Sequence, residues 1–198
     1  MDESSLIRQA QKGDVRAFNV LVRAHQTTVY NVAYRVLGDS DAAADVTQEA
    51  FVHAYKALAD FKGGSFRAWL VRIVTNACYD QLRYDKRRPA TSLEEMTPEP
   101  DSGDPGPPLP DPGEGPEDYV LRQELGHVVA RGLETLPTEQ RVTLVLSDIQ
   151  GFSYEEIANV TGVELGTVKS RLSRARARMR DFLLSQQELL PAVYRLGS

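Results

Sequence analysis

A proline- and glycine-rich segment near the middle of the chain constrains the fold more than any other feature. Between positions 98 and 116, eight prolines alternate with four glycines. Proline offers no amide hydrogen for regular structure, and the segment has too few apolar side chains to offset the entropy lost on ordering. We therefore predict a flexible linker over 91–116, which separates a domain at 1–90 from a second at 117–185 and leaves a short tail at 186–198.

The same segment holds much of the negative charge of the chain. The formal net charge of the 198 residues is −5, and a negative protein is a poor partner for nucleic acid. However, nine carboxylates and no lysine or arginine lie between Pro89 and Leu121. Without these nine the net charge would be +4, so two basic domains flank an acidic linker. Both domains therefore stay candidates for nucleic-acid binding.

Apolar residues recur at three- and four-residue spacing in both halves, and there is no convincing alternating strand pattern. We predict an all-α fold with two small helical domains. One helix begins near Phe18 and ends at Gly38. Asp39, Ser40 and Asp41 each offer an N-cap for the next helix, which runs to about Leu58, and Ser65 can cap a third. The third helix is predicted to bury one face: Phe66, Trp69, Leu70, Ile73 and Ala77.

The second half contains the pattern of a helix-turn-helix. Before it, apolar spacing predicts one helix that ends before Pro137 and another that Thr138 caps and Gly151 ends. Ser153-Tyr154-Glu155-Glu156 then matches a capping box, which starts a new helix. Three residues have helix-turn-helix spacing: Ala158, Gly162 and Val168. The small residue lets two helices approach, the glycine takes the left-handed turn, and the valine fills the angle between the helices.

The second helix of this motif is strongly basic. Its cations are Lys169, Arg171, Arg174, Arg176, Arg178 and Arg180. An ordinary solvated helix can also be basic, but it normally intersperses glutamates that pair with its cations. No acidic residue occurs here between Leu165 and Arg180. We therefore interpret this helix as a DNA-recognition helix.

The third helix of the first half carries a second polar stripe. Its members are Arg72, Asn76, Tyr79 and Arg83, followed by the cations Lys86, Arg87 and Arg88. Cations follow phosphates, an aromatic ring stacks on a base, and an amide hydrogen-bonds a base edge. The stripe therefore fits the capture of single-stranded nucleic acid.

The sequence predicts no catalytic, cofactor or metal site. Cys78 is the single cysteine, which excludes an internal disulfide and a thiolate metal site, and the three histidines lack ligand spacing. Glu155 and Glu156 are adjacent on a helix and do not face each other, so they make a poor acid–base pair. Because no apolar run could span a bilayer and the N-terminus lacks a signal-peptide pattern, we expect a cytoplasmic protein without membrane insertion.

Several segments resemble the extracytoplasmic-function (ECF) sigma factors of bacterial RNA polymerase. In the second half, the segments that resemble region 4 of that family are LPTEQR from Leu136, GFSYEEIA from Gly151 and GTVKSRLSRAR from Gly166. In the first half, the segments that resemble region 2 are DVTQEAF from Asp45, FRAWL from Phe66 and RIVTN from Arg72. The resemblance covers both domains in order. It implies a promoter-recognition subunit rather than an enzyme.

The resemblance also implies roles for particular residues. Region 2 would dock on the clamp helices of the largest polymerase subunit through Asp45, Gln48 and Glu49, although their spacing alone favours an ordinary solvated face. It would melt and bind the −10 promoter element through Phe61, Lys62, Arg72, Asn76, Tyr79, Arg83, Arg87 and Arg88. In the family, the position of Asn76 helps to form a pocket for a flipped-out base. Region 4 would bind the −35 duplex through Thr167, Lys169, Ser170, Arg171, Arg174 and Arg176.

The implied partners are core RNA polymerase, including the flap region of its second-largest subunit, promoter DNA and an anti-sigma factor. The linker would thread the polymerase cleft, and replacing its nine acids by Ser or Asn should then change abortive initiation. Two other functions stay open on the residues alone. A dimeric DNA-binding regulator would use the helix-turn-helix but leave the stripe of the first half unexplained, and an enzyme would need chemistry that the sequence does not offer.

Overall fold

The structure is a computed structural model that describes residues 2–87 and 116–186, with side chains from 123 onward in the second range. Within these ranges all regular secondary structure is helical, which confirms the all-α prediction. The predicted linker at 91–116 and tail at 186–198 lie almost wholly outside the described residues, so their boundaries stay predictions.

The first domain is built around a long central helix, α2. Its elements are α1 (Glu3–Gln11), α2 (Val15–Leu37), α3 (Ser40–Ala57), a 3-10 turn (Leu58–Asp60) and α4 (Phe66–Arg87). Helix α2 packs against each of the other three helices. Its inner face therefore lies at the centre of the core: Leu21, Val29, Val32, Ala33 and Val36.

Local sequence sets the ends of these helices as predicted. Gly38 ends α2 in the left-handed conformation, at a φ of 80°, where a residue with a Cβ is disfavoured. Asp39 begins α3 by accepting a hydrogen bond of 2.7 Å from the amide of Ala42. Ser65 likewise accepts one of 3.1 Å from the amide of Ala68. These bonds satisfy amides that the first helical turn leaves unpaired.

Helix α1 was not predicted from the sequence. Only three of its residues are buried, which is too few to establish a periodicity: Leu6, Ile7 and Ala10. Tertiary contacts hold it instead. Glu3 lies 2.7 Å from the ring nitrogen of His25, and the Gln11 amide donates to the carbonyls of Leu58 and Phe61 at 3.1 and 2.9 Å.

Helix α4 buries a different face from the predicted one. Phe66 and Leu70 are buried as expected, but Trp69, Ile73 and Ala77 are only partly covered. The rest of the buried face lies further round the helix: Val71, Val74, Thr75 and Cys78. Helices α2 and α3 both pack on α4 and fix which arc is covered. Trp69, Ile73 and Ala77 still pack against the core, so the predicted face is only partly confirmed; apolar spacing within α4 fits either arc.

The second domain contains four helices. Its elements are α5 (Pro116–Glu134), α6 (Thr138–Leu144), a π-helical turn (Val145–Ile149), α7 (Tyr154–Thr161) and α8 (Leu165–Ser185). Helix α8 packs against α5, α6 and α7. Thr138 does not cap α6 as predicted: the carbonyl of Pro137 accepts the first backbone bond, from Gln140 at 2.9 Å, so Pro137 is the cap residue.

The two domains pack against each other, which the linker did not lead us to predict. Helix α4 lies against α7, and α2 contacts α5, α6 and the π-helical turn. Buried apolar residues of both domains form one continuous cluster. The nucleic-acid stripe of α4 therefore lies close to the helix-turn-helix.

Candidate nucleic-acid and protein interfaces

The helix-turn-helix has the geometry that its sequence predicts. The Ser153 hydroxyl accepts from the amide of Glu156 at 3.2 Å, and the Glu156 carboxylate accepts from the amide of Ser153 at 2.9 Å. Gly162 makes the turn between α7 and α8 with a φ of 68°, and its amide donates to the carbonyl of Ala158. Val168 is fully buried in the angle between the helices. This packing holds α8 rigidly against α7.

Helix α8 presents a polar face to solvent. Val168, Leu172 and Ala175 are buried, and the opposite side of the helix carries Ser170 and Arg174, both exposed. Thr167 and Arg171 lie at one border of that face and are half-buried, while Lys169 lies at the other border and is exposed. Arg178 follows Arg174 by one turn and is exposed too, although the predicted DNA-binding set omits it. These residues form a continuous, mainly basic surface, which we call the α8 face.

Arg176 lies apart from the α8 face. Its guanidinium donates to both carboxylate oxygens of Asp148, at 2.9 and 2.7 Å. This hydrogen bonding lowers the pKa of Asp148 and raises the pKa of Arg176. The Arg176 side chain thus ties α8 to the π-helical turn.

Beside this ion pair lies an apolar groove that sequence reasoning missed. It has a volume of about 350 Å³, and its apolar lining consists of Val129, Leu133, Leu144, Ile149, Met179 and Leu183. A signal was present in α8, whose apolar residues continue through Met179 to Leu183. Helix α5 approaches α8 closely at this point: a Cβ at Gly132 would lie 2.6 Å from the sulfur of Met179 and 2.9 Å from the ring of Phe182, so both side chains would have to shift.

The predicted −10 residues of α4 line three different grooves. Arg72 borders the first with Lys62 and Trp69. Tyr79 and Arg83 border the second, further along the same side of the helix. Asn76 is exposed in the third groove, between α3 and α4, which has a volume of about 490 Å³.

Tyr79 and Arg83 differ in how far their side chains are exposed to solvent. Tyr79 is half-buried, and burial raises the pKa of its hydroxyl while the nearby Arg171 opposes that shift. Arg83 is exposed and pairs with Asp80 at 3.1 Å, a solvent-exposed pair that contributes little to stability. Arg87 is exposed and donates to the carbonyl of Arg83 at 3.1 Å. Arg88, which the predicted set also contains, lies outside the described residues.

The loop before α4 contains both packed and open residues. The ring of Phe61 lies 5.5 Å from that of Phe66 and 5.2 Å from that of Trp69, so Phe61 supports the loop from within an aromatic cluster. Lys62 is exposed. Gly63 and Gly64 both have positive φ, 104° and 91°, which side chains with a Cβ rarely adopt. The loop therefore holds a backbone shape that the double glycine makes possible.

Asp45, Gln48 and Glu49 lie together on the outer face of α3, and all three are exposed. Val52 follows on the same face and is 48 % exposed, an apolar residue beside an acidic group. We call Asp45, Gln48, Glu49 and Val52 the α3 patch.

The described residues contain no group of His, Cys, Asp and Glu that could hold a metal ion. Burial raises the pKa of the Cys78 thiol to about 12, so it is not a reactive thiolate. No helix in the described part of the chain is long and apolar enough to cross a bilayer.

Comparison with known families identifies both domains. Residues 21–88 match the family model of Sigma-70 region 2, and residues 127–179 match that of Sigma-70, region 4. The ECF RNA polymerase sigma-E factor of Escherichia coli K12 is 38 % identical over 177 residues, which cover 89 % of this chain and 91 % of the relative. The chain belongs to the ECF sigma factors. The resemblance predicted from the sequence is thereby confirmed.

Other relatives of this sigma factor agree with that assignment. The ECF sigma factor SigE of Mycolicibacterium smegmatis is 39 % identical over 167 residues, 84 % of this chain and 62 % of the relative. CnrH, solved in complex with the cytosolic domain of CnrY, has a TM-score of 0.65 and 32 % identity and covers 90 % of this chain and 94 % of its own. The sigma factor RpoE, solved with the anti-sigma factor NepR from Bartonella quintana, has a TM-score of 0.64 and 25 % identity. The match covers 85 % of this chain and 98 % of RpoE.

Family membership decides between the functions that the residues left open. As an ECF sigma factor, the protein is a promoter-recognising initiation factor that binds core RNA polymerase and promoter DNA, and it is not an enzyme. A self-sufficient dimeric regulator is also excluded, because helices α2 to α4 belong to region 2 and the helix-turn-helix belongs to region 4 of a sigma factor.

Proposed function

We propose that this ECF sigma factor recognises the −35 duplex with the α8 face and captures the melted −10 strand with α4 and the preceding loop. The observation that carries the −35 assignment is the α8 face itself. Ser170 and Arg174 are exposed on a helix that a capped, glycine-turned motif holds rigidly. Such a helix can enter a major groove with its base-contacting side chains already oriented.

The proposed −35 set is smaller than the one predicted from sequence. Thr167, Lys169, Ser170, Arg171 and Arg174 stay in it. We leave out Arg176, because Asp148 already accepts hydrogen bonds from two of its three guanidinium nitrogens.

For the −10 element, we propose that Asn76 hydrogen-bonds an unstacked base while Arg72, Lys62 and Arg83 follow the phosphates. The support is the exposure of Asn76 in an open groove, with cations on the adjacent side of the same helix. Asn76→Ala should lower initiation on a fully duplex promoter and on one with an already melted −10 region. Equal activity of variant and wild type on both templates would contradict the base contact.

For polymerase, we propose that the α3 patch docks on the clamp helices of the largest subunit and that the apolar groove of region 4 receives the flap region of the second-largest subunit. The patch is exposed and acidic, and the groove is open and apolar. Glu49→Lys should weaken binding to core polymerase. Asp41→Lys, on the exposed start of the same helix, makes the same charge change outside the patch and should not.

We further propose that the protein acts in the cytoplasm and has an anti-sigma factor among its partners. The second point rests on RpoE, a structural neighbour that was solved with an anti-sigma factor. Co-purification from the native host would identify such a partner.

The whole proposal is tested by transcription with purified core polymerase. Core plus this protein should start RNA synthesis at discrete genomic promoters that core alone ignores. Sequencing of those start sites would give the −35 and −10 elements. If a folded sample gave no start site above the background of core alone, the proposal would fail.

A further inference from the structure

Helix α1 reaches the loop before α4 through one side chain at its end. The side-chain amide of Gln11 donates to the carbonyl of Leu58 at 3.1 Å and to the carbonyl of Phe61 at 2.9 Å. The amide group has two hydrogens, so both of its donors are used. Leu58 begins the 3-10 turn, and Phe61 is the first residue after it. Gln11 therefore joins α1 to the first residue of the segment 61–65, which we call the −10 loop.

The position of Gln11 is itself fixed. The residue before it, Ala10, is 4 % exposed in the core. Gly13 then turns the chain with a φ of 94°, and its amide donates to the carbonyl of Ala10 at 2.9 Å. At the other end of α1, a carboxylate oxygen of Glu3 lies 2.7 Å from Nε2 of His25. Helix α1 is thus held against α2 at both of its ends.

The side chain of Phe61 is held as well as its carbonyl. Its ring contacts the ring of Trp69 and that of Phe66, which is 1 % exposed. The ring of His25, the partner of Glu3, lies edge-on to Phe66 at 5.5 Å. Both ends of α1 therefore act on Phe61, one through a hydrogen bond to its carbonyl and the other through His25 and Phe66.

The middle of the −10 loop has no such anchor. Within the part of the chain that the structure describes, Lys62, Gly63 and Gly64 make no hydrogen bond. Both glycines have positive φ, and glycine adopts positive and negative φ with similar ease. Ser65 fixes the far end of the loop by capping α4. The shape of the loop therefore depends on where its two ends are held, and Phe61 is one of these ends.

The −10 loop forms one wall of a groove with a volume of about 300 Å³. Phe61 and Lys62 lie on that wall, and Trp69 and Arg72 of α4 line the groove too. A site that recognises a base needs its contacts placed to within roughly 0.5 Å. A shift of Phe61 would change the distance between the loop and α4. Gln11 does not line the groove, so it acts on this site through the loop.

We infer that Gln11 is a positioning residue for −10 recognition: through it, α1 holds the −10 loop at the distance from α4 that base recognition requires. The inference rests on the proposed function, in which the loop and α4 capture the −10 strand. It adds to that function a helix that lies outside residues 21–88, the segment matched by the model of region 2. Gln11 is exposed, so its replacement leaves the buried core intact.

The test replaces Gln11 by glutamate, which has the same shape but no donor. A carboxylate at this position would repel the two carbonyl oxygens and release the loop. The matched control is Gln9→Glu, which makes the same charge change on the same helix. The side-chain amide of Gln9 donates to the hydroxyl of Ser5, within α1. Circular dichroism would establish that both variants are folded.

The first measurement uses the free full-length protein. Trp69 is the single tryptophan, and its ring lies 5.2 Å from that of Phe61. Release of the loop should expose Trp69, so acrylamide should quench its fluorescence more strongly in Gln11→Glu than in the wild type or in Gln9→Glu. Equal quenching in all three proteins would show that Gln11 does not hold the loop, and it would overturn the inference.

The second measurement is the base preference of the holoenzyme. At a promoter that the wild type uses, each base of the −10 and −35 elements is substituted in turn, and initiation is expressed relative to the unsubstituted promoter. Gln11→Glu should lower the preference at one or more −10 positions roughly tenfold and leave the −35 preferences unchanged. A loss of folded protein would lower initiation on every template by the same factor, so it would leave all of these ratios unchanged.

The inference is overturned if Gln11→Glu keeps the −10 preferences of the wild type, if its −35 preferences change equally, or if Gln9→Glu has the same effect. In each of these cases the proposed function stands, because it is tested by the wild type alone. If the wild type directs no initiation, the proposed function fails and the inference fails with it.

Discussion

Helix α8 of region 4 and helix α4 of region 2 both carry cations that we propose contact DNA, but their surroundings differ. On α8, Ser170 and Arg174 are exposed and belong to a motif whose turn and cap are set by nearby residues. On α4, Tyr79 is half-buried beside the other domain, and Asn76 lies in a groove that α3 completes. Duplex recognition needs one rigid helix, whereas capture of a single strand needs several elements around it. Nearby residues in the sequence can therefore set the proposed DNA-binding surface of region 4, whereas that of region 2 depends on tertiary packing.

The largest expected effect tests whether region 4 is an independent unit. Leu172→Ala removes a side chain that is 2 % exposed and should lower the free energy of unfolding by about 2–5 kcal/mol. Urea unfolding should be followed by circular dichroism, which reports both domains, and by fluorescence of Trp69, the single tryptophan, in region 2. The urea midpoint measured by dichroism should fall more than the midpoint measured by fluorescence.

Leu184→Ala, at a site 41 % exposed, is the control. Equal shifts in both signals would show that the two regions unfold together.

The next effect concerns DNA specificity. Arg174→Ala should weaken binding of the holoenzyme to a −35 duplex by about 1–3 kcal/mol and relax the preference at one base pair. Arg180→Ala removes the same charge from an exposed position on α8, where Arg180 already pairs with Asp181. It should lower only the salt dependence. Competition binding with single-base substitutions of the −35 element would distinguish the two, and identical profiles would place the recognition face elsewhere.

A smaller effect compares the same kind of contact in both regions. Ser153→Ala removes the cap of α7 and Asp39→Ala that of α3, and each should cost about 0.5–2 kcal/mol of stability. Only Ser153→Ala should also reduce −35 affinity, because α7 positions α8. Thermal unfolding and duplex binding of both variants test this. Equal losses of −35 affinity would contradict the local control of region 4.

The smallest effect depends on pH. The pKa of Asp148 is lowered by its bond to Arg176, so this pair stabilises the folded state above the ordinary carboxyl pKa, and the stabilisation is lost as pH falls through the lowered value. Because both side chains are partly exposed, the contribution is about 0.2–1 kcal/mol. Below about pH 4, the stability of Asp148→Asn should therefore fall less steeply than that of the wild type. Asp181→Asn is the matched control. If the difference in stability between the wild type and Asp148→Asn were the same at pH 3 as at neutral pH, the assignment would be contradicted.

Sequence patterns predicted the elements whose causes lie within a few residues. The capping box at Ser153, the left-handed Gly162 and the end of α2 at Gly38 were all predicted correctly. The buried face of α4 was only partly predicted, because two neighbouring helices decide which arc is covered. Arg176 was predicted to contact DNA from its place in a basic run, and its bond to Asp148, 28 residues away in sequence, could not be predicted from that run.

The sequence by itself determined that this protein is an all-α, two-domain sigma factor. Caps, glycine turns, apolar spacing and family motifs each involve residues that are close together in the sequence, so they can be recognised without the structure. Only the tertiary structure decided which residues of α4 and α8 face solvent, where the apolar groove lies and how the domains meet. The hydrogen bond from Arg141 to the carbonyl of Val36 illustrates the reason. Arg141 and Val36 are 105 positions apart, and the bond between a side chain and a distant carbonyl leaves no periodic trace in the sequence.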